Sequence, residues 1–326
     1  MILFHPELSP RWGEYGILIP LRDDRSKRVY EHLRTLGKKG LIELDRNGLK
    51  LLNKSDLERA HSSDFVEKLY GDQLESEILE CFELIDSKGK YHRYNPALAK
   101  RDWKDFFQSI LHHASASKFA MEKALEDKGF TFFLGGGMHH ARSDKGSGFC
   151  LINDIVIGLR ALQAENKIKS AWVIDTDAHK GDGTAEITCK DPSIKTLSIH
   201  MKKGWPLDHP ELNHPSKIPS DVDIEMDVDE EEFYLERLRQ GLNHLWTLSL
   251  DKPDFVVVNA GVDPYELDEL PSTKLLKLSK EQMLERDLLV YRFFKERNIP
   301  QCWLMSGGYG QYSWEIYSQF LESILE

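Results

Sequence analysis

Apolar and polar positions along the chain fall into two regimes. From about residue 114 onward, short continuous apolar runs alternate with longer segments in which apolar residues recur every three or four positions. "FTFFL" (130–134), "AWVID" (171–175), "KTLSIH" (195–200), "DFVVVNA" (254–260) and "QCWLM" (301–305) are compact and β-branched or aromatic, as strands covered on both faces must be. Between and around them "SASKFAMEKALEDKG", "INDIVIGLRALQAEN", "EEEFYLERLRQGLNHLW", "KEQMLERDLLVYRFFKER" and "WEIYSQFLESIL" carry helical spacing, and the first is stopped by a glycine. Such alternation predicts one α/β domain over residues 1–326, with a central, mostly parallel sheet flanked by helices. Before residue 114 the pattern is less legible. Charged helices such as "DRSKRVYEHLRTLG" are interleaved with polar connections, able to pad the sheet or line its mouth. "KIPSDVDIEMDVDE" (217–230) and "DPYELDELPSTKLLKLS" (263–279) read as long loops, which in a compact domain are often functional.

Ligands in open α/β sheets bind beyond the carboxyl ends of the strands, so the residues delivered there are the candidates for chemistry. "FTFFL" leads through a glycine-rich turn to His139 and His140, and "AWVI" leads to Asp175, Asp177, His179 and Asp182. "DFVVVNAG" leads to Asp263, and "QCWLMSGG" to Tyr309. Asp177, His179 and Asp263 together offer two carboxylates and an imidazole, three ligands that leave a position open on a divalent metal. The set suits zinc and could take iron, cobalt or manganese. His139 and His140 are candidate proton carriers, Asp175 and Asp182 their orienting partners, and Tyr309 a donor to a developing oxyanion. A bland role is expected of the other singular residues. His112 and His113 read as structural or surface residues, Cys150 as a packed thiol, and Lys180 as a solvent-facing charge. His200, His209 and His214 are assigned no role.

Composition narrows the partners. A formal net charge of −11 and the acidic "EMDVDEEEF" speak against nucleic acid, whose binding rests on clustered Lys and Arg. Four scattered cysteines without a CxxC pair fit reduced thiols in a reducing compartment. The opening "MILFHPELSP" lacks the features of a secretory signal, and no apolar run approaches the roughly 18–20 residues that span a bilayer. A cytoplasmic protein with no membrane partner is the expectation.

The four motifs also resemble, in order, those of the zinc-dependent histone deacetylases and their bacterial relatives. The runs are "GGGMHHARSDKGSGFCLINDI", "VIDTDAHKGDGTAEI", "NAGVDPYELDEL" and "SGGYG". The match covers residues from about 110 to the end and is loose before that. It implies the arginase/deacetylase fold with its active site at the carboxyl strand ends. It also implies a zinc ion, with iron or cobalt as substitutes, on Asp177, His179 and Asp263. His139 and His140 would be the acid/base pair, backed by Asp175 and Asp182 respectively, with Tyr309 polarising the amide carbonyl. Gly148 and Phe149 would line an acyl-lysine tunnel, with Trp205 as an opposite wall. A structural potassium ion would bind backbone carbonyls of Asp175, Asp177 and His179 and the Ser198 hydroxyl. Two departures stand out: Lys180 replaces the family's usual second histidine, and the glycine run before Tyr309 is shortened to Ser306, Gly307 and Gly308. The short connections look most like the class IV branch, which implies acyl groups longer than acetyl. The substrate would be acylated lysine or, as the alternative, an acylated polyamine or other small acylated amine drawn to an acidic tunnel mouth. An arginase-type ureohydrolase lacks its second aspartate-rich motif here. A non-catalytic acyl-lysine binder would need neither proton carriers nor Tyr309.

Overall fold

A computed structural model of the chain describes residues 1–8, 11–86 and 88–326. The strands are β1 (Ile2–Phe4), β2 (Leu41–Glu43), β3 (Phe130–Phe133), β4 (Ala171–Asp175), β5 (Ile194–Met201), β6 (Val222–Met226), β7 (Phe255–Asn259) and β8 (Gln301–Leu304). They form one eight-stranded sheet in the order β2-β1-β3-β8-β7-β4-β5-β6, with every pairing parallel.

Alternate residues of the central strands enter two different cores, as the period of two demands. Trp172, Ile174, Val256, Val258 and Trp303 point to one face, where the helices Arg25–Thr35, Tyr234–Leu248, Lys280–Lys295 and Ser313–Ile324 cover them. Val173, Val257 and Leu304 point to the other, against the helices Trp103–Glu126 and Asp154–Ala164. All of these side chains are at most 1 % exposed, so the strands are apolar on both faces and appear in the sequence as unbroken runs. Close packing of the second helix pair follows from small residues: Ala116, Ala120 and Ala124 lie on one helix and Gly158 sits against Met121.

The N-terminal region does both things the sequence left open. β1 and β2 extend the sheet beyond β3. A third core, built on the helices Ser63–Tyr70 and Leu74–Cys81 and on Trp12, Tyr15 and Phe82, packs beneath the segment carrying Met138 and Cys150. Two expectations are corrected. Residues 217–230 are not simply a loop, because Val222, Ile224 and Met226 turn inward as edge strand β6, with exposed Glu225 between them. The helix predicted from residue 115 begins at Trp103, its N-terminus capped by Asp102 accepting from the Asp105 amide at 2.8 Å, so His112 and His113 lie in mid-helix. Among the described residues, no helix is long and apolar enough to cross a membrane.

Candidate active site

The carboxyl ends of β3, β4, β7 and β8 are neighbours in the sheet, which is why four motifs far apart in sequence meet. At the end of β3 the turn 135–138 is held through its backbone amides. Gly136 donates to His113 Nε2 at 2.6 Å, while Gly137 and Met138 donate to the two oxygens of Asp154 at 3.0 and 2.7 Å. Gly137 adopts a φ of +81° with Asn259 and Ser306 packed against its Cα, a conformation and a clearance that suit glycine. His139 and His140 emerge from this turn with ring centroids 3.8 Å apart.

Each imidazole is backed by its own carboxylate. His139 Nδ1 lies 2.7 Å from Asp175 Oδ2, and His140 Nδ1 lies 2.7 Å from Asp182 Oδ1. Asp175 is itself fixed across the sheet by its register partner, the amide of Asn259 donating at 2.9 Å. Asp182 accepts from Arg142 at 2.8 and 3.2 Å. Asp177, His179 and Asp263 converge beside this pair, with ligand atoms all within 4.8 Å of one another. His179 Nδ1 lies 3.2 Å from Asp177 Oδ1 and 3.1 Å from Asp263 Oδ2, while its Nε2 lies 3.0 Å from the Ser272 hydroxyl. The Gly307 amide donates to Asp177 at 3.1 Å and the Ala178 amide to Asp263 at 2.9 Å. Arg286, fully buried, donates to the carbonyls of Thr176 and Gly261 and so clamps the two acid-bearing loops together.

Buried carboxylates need a cation, and among the described residues Asp177 and Asp263 have only histidines as ion-pair partners. The electrostatics register this demand. Burial opposes charge on His179, yet hydrogen bonds and the field of Asp177 and Asp263 hold its pKa up at about 10. Burial likewise opposes charge on His139, and Asp175 and Asp177 outweigh it to give about 9. His140 goes the other way, to about 4, through burial and the positive charge on His139. Burial and the neighbouring Asp177 push Asp263 up to about 6. Tyr309 is raised well above a phenol's usual value, first by burial and then by Asp263 and Asp177, so it keeps its proton.

Two cavities meet at this cluster and share His140, His179, Gly148, Phe149 and Tyr309. The inner one, about 90 Å³, runs past Asp177 to Trp12, Leu21, Ile110 and Met138. The outer one, about 160 Å³, opens past Trp205 to Glu83 and Arg93. Gly148 and Phe149 form one wall and Trp205 the other. The Trp205 ring stands 4.5 Å from that of His140 at 72°, and a Cβ on Gly148 would collide with both rings. Tyr309 hangs from a turn whose amide donates to Asp268 at 2.7 Å, with its ring 6.4 Å from that of Phe149. Ser198 stands opposite Asp175 in the β4–β5 register, its hydroxyl 3.1 Å from His200 Nδ1.

Lys180 corrects the expectation of a solvent-facing charge. It is 4 % exposed and donates to Asp223 on β6 at 2.9 Å. Asp223 sits 43 residues further on, so the sequence carried no local sign of the pair. His113 is structural, as expected, but it also lines the inner cavity and pins the turn at Gly136. Arg142, Asp154, Asn259 and Arg286 were missed as positioning residues. Of these, only Asp154, at the start of a helix preceded by an asparagine cap, carried a local signal.

Similar proteins agree with this architecture. An uncharacterized protein of Picosynechococcus sp. is 35% identical over 178 residues, which are 54% of this chain and 55% of that protein. Histone deacetylase 2 of Arabidopsis thaliana is 30% identical over 203 residues, 62% of this chain and 50% of the relative. The chain thus spans about half the length of these relatives. The crystal structure of acetylpolyamine aminohydrolase from Burkholderia pseudomallei superposes with a TM-score of 0.70 at 19% identity, covering 98% of this chain and 97% of that one. The fold is therefore the arginase/deacetylase fold expected from the motifs. Residues 19–324 match the histone deacetylase domain, and the chain belongs to that family.

Proposed function

We propose that the protein is a metal-dependent amidohydrolase that removes acyl groups from the side-chain amine of lysine. The carrying observation is the convergence of three oxygen and nitrogen donors, two carboxylate-backed imidazoles and one phenol on a single cavity. The donors fit a divalent cation: among the described residues the two buried carboxylates have only histidines as ion-pair partners, and the field they create draws a proton onto His179. Asp177, His179 and Asp263 would hold the ion, and zinc suits the set. When bound, such an ion supplies Lewis acidity, acidifying water and polarising a carbonyl.

The remaining work falls to the chain's own residues. Asp175 and Asp182 fix the Nδ1 side of His139 and His140, leaving Nε2 of each to exchange protons within the cavity. In the absence of an ion, burial lowers His140 while Asp175 and Asp177 raise His139, an order that would make His140 the readier proton acceptor and His139 the readier donor to the departing amine. Part of the pull on His139 comes from Asp177, and metal occupancy reduces it. Tyr309 donates to the carbonyl oxygen as negative charge gathers there. Gly148, Phe149 and Trp205 enclose the aliphatic stem of the substrate, excluding water from the bond to be cut. The inner cavity behind the cluster, where Trp12, Leu21, Ile110 and Met138 are joined by Arg25 and His113, supports acyl chains longer than acetyl. For a structural potassium ion, the reading names the backbone carbonyls of Asp175, Asp177 and His179 with the Ser198 hydroxyl. Its support is the Asp175 to Ser198 register.

A second reading is an acylated polyamine, the substrate class named for the solved structural neighbour. Both readings predict amide hydrolysis that disappears on chelation and in Asp263→Ala. Undiminished turnover of an acylated lysine peptide by Asp263→Ala with no metal bound would overturn them.

A further inference from the structure

The polyamine alternative calls for an acidic tunnel mouth, and the charges that line the outer cavity bear on it. Among the described residues lining the outer cavity, Glu83 is the one carboxylate, and it is already paired with Arg93 at 2.6 Å. These two are the outermost charged groups of the lining: their side chains are 45% and 28% exposed, against 5% for His140 and 4% for His179.

Backbone conformation makes Arg93 more than a surface charge. The non-glycine residues with left-handed φ include Glu83, Lys128, Asn166 and Asn298, each just beyond the end of a helix, where that conformation is ordinary. Phe149, at φ +66°, follows Gly148 in the two-residue turn that joins Ser147 to Cys150, where left-handed backbone is required. Asp229 lies in the connection after β6. Arg93, at φ +50°, ends no helix and faces Phe149. The guanidinium lies 5.5 Å over the Phe149 ring, so the tunnel wall itself holds the cation in place. Unfavourable backbone conformations at a ligand's path are commonly kept for what they position. Glu83 and Arg93 flank a short hairpin fastened by the His92 amide donating to the Leu84 carbonyl at 2.8 Å, with Ile85 and Tyr91 bridged across it. The Arg93 carbonyl in turn accepts from Leu18 at 2.8 Å.

A guanidinium carries five N–H donors, and the bond to Glu83 uses one. Resting on the reading of the site as an acyl-lysine hydrolase, we infer that Arg93 selects substrates by donating to an acceptor just outside the tunnel. That acceptor is a peptide carbonyl or a flanking carboxylate beside the acylated lysine, and the same charge turns away polyamines. A polyamine chain would emerge with its free ammonium groups beside Arg93, and Glu83, the one carboxylate among the described residues lining the outer cavity, is already paired. An acylated lysine in a peptide emerges with carbonyl oxygens there instead. Arg93 is a specificity residue on this account and takes no part in bond cleavage.

The test compares kcat/KM of the wild type, Arg93→Gln, Arg93→Glu and Glu83→Gln on three substrates. These are an acetyl-lysine peptide with neutral flanks, the same peptide with aspartate flanks, and N-acetylspermidine. The wild type is expected to prefer the aspartate-flanked peptide and to turn over the polyamine least. Arg93→Glu should move the polyamine-to-peptide ratio by about tenfold or more toward the polyamine, mainly through KM, with the shift weakening at high salt. Arg93→Gln should move it part of the way. Glu83→Gln, which frees the guanidinium, should move it in the opposite direction. Turnover of the peptides with a ratio unmoved by Arg93→Glu overturns this inference and leaves the hydrolase reading intact. Failure of the wild type to cleave any of the three overturns both.

Discussion

The floor of the cavity and its two ends draw on different parts of the chain. The tunnel walls Gly148, Phe149 and Trp205 belong with the floor, while the inner wall behind the cluster and the charged rim outside it are built largely on residues before 114. The floor is contributed by residues 137 to 309, at the ends of four adjacent strands, and nearly every polar atom in it is fixed by another buried group. The inner wall and the outer rim come largely from residues 12 to 113: Trp12, Leu21, Glu83, Arg93, Ile110 and His113. Ile110 and His113 stand on the long helix Trp103–Glu126, whereas Trp12 stands on a single short turn, Leu21 in a loop, and Glu83 and Arg93 at the two ends of a hairpin. On the proposed function, the sheet ends carry the reaction and these outer elements select what reaches it.

If that division holds, changes to the floor act on kcat and changes to the inner wall and rim act on selectivity. The largest effect is expected from Tyr309→Phe, which removes one hydroxyl from the floor. Steady-state kinetics on an acyl-lysine peptide should show kcat reduced about 10²–10³-fold with the far-UV spectrum unchanged. A loss confined to KM would break the comparison. Next come the Arg93 variants, where about a tenfold change in substrate ratio is expected with kcat on the neutral peptide nearly preserved. Leu21→Trp, filling the inner wall, should cost several-fold in turnover of a long acyl group relative to acetyl on the same peptide, roughly the discrimination that a pocket's size affords. Equal losses on both acyl groups would show that the inner cavity does not receive the chain.

No change in turnover, only one in stability, is expected at the joint between the two regions. His61, 4 % exposed, holds the floor loop to the helix behind it. Its Nδ1 lies 2.7 Å from the Arg142 carbonyl, and its Nε2 accepts from the Asn153 amide at 2.9 Å. That pattern requires a neutral ring, and burial lowers its pKa from 6.5 to about 4. Between those values the unfolded chain binds the extra proton, so stability rises with pH across the window. This contribution is complete above about 6.5 and lost as pH falls toward 4, amounting to about 3 kcal/mol. His61→Gln, which keeps one donor and one acceptor, should flatten the dependence of unfolding free energy on pH by about one proton. An unchanged slope would show that the ring titrates normally.

The floor was legible in the sequence because its chemistry is concentrated. Buried strands appear as apolar runs, and a polar residue immediately after such a run needs a partner. Asp177, His179, Asp263 and Tyr309 could therefore be read from position alone. The outer strands of the sheet and the rim lacked any such pattern. β1 and β2 have three residues each, too few for a period to appear. β6 does alternate, with Val222, Ile224 and Met226 inward, but Asp223 and Glu225 between them make the segment look like an acidic loop. Lys180 and Arg93 were hidden for a related reason: each takes its meaning from a partner that only folding brings near, Asp223 in one case and Phe149 in the other.

The most direct measurement is a metal titration of chelated protein, with bound ion counted by mass spectrometry and acyl-lysine turnover read on the same samples. The account predicts that turnover rises in proportion to bound zinc and levels off at one divalent ion per chain, and that Asp263→Ala neither retains the ion nor recovers. Full turnover by ion-free protein, or activity that requires two ions per chain, would contradict it.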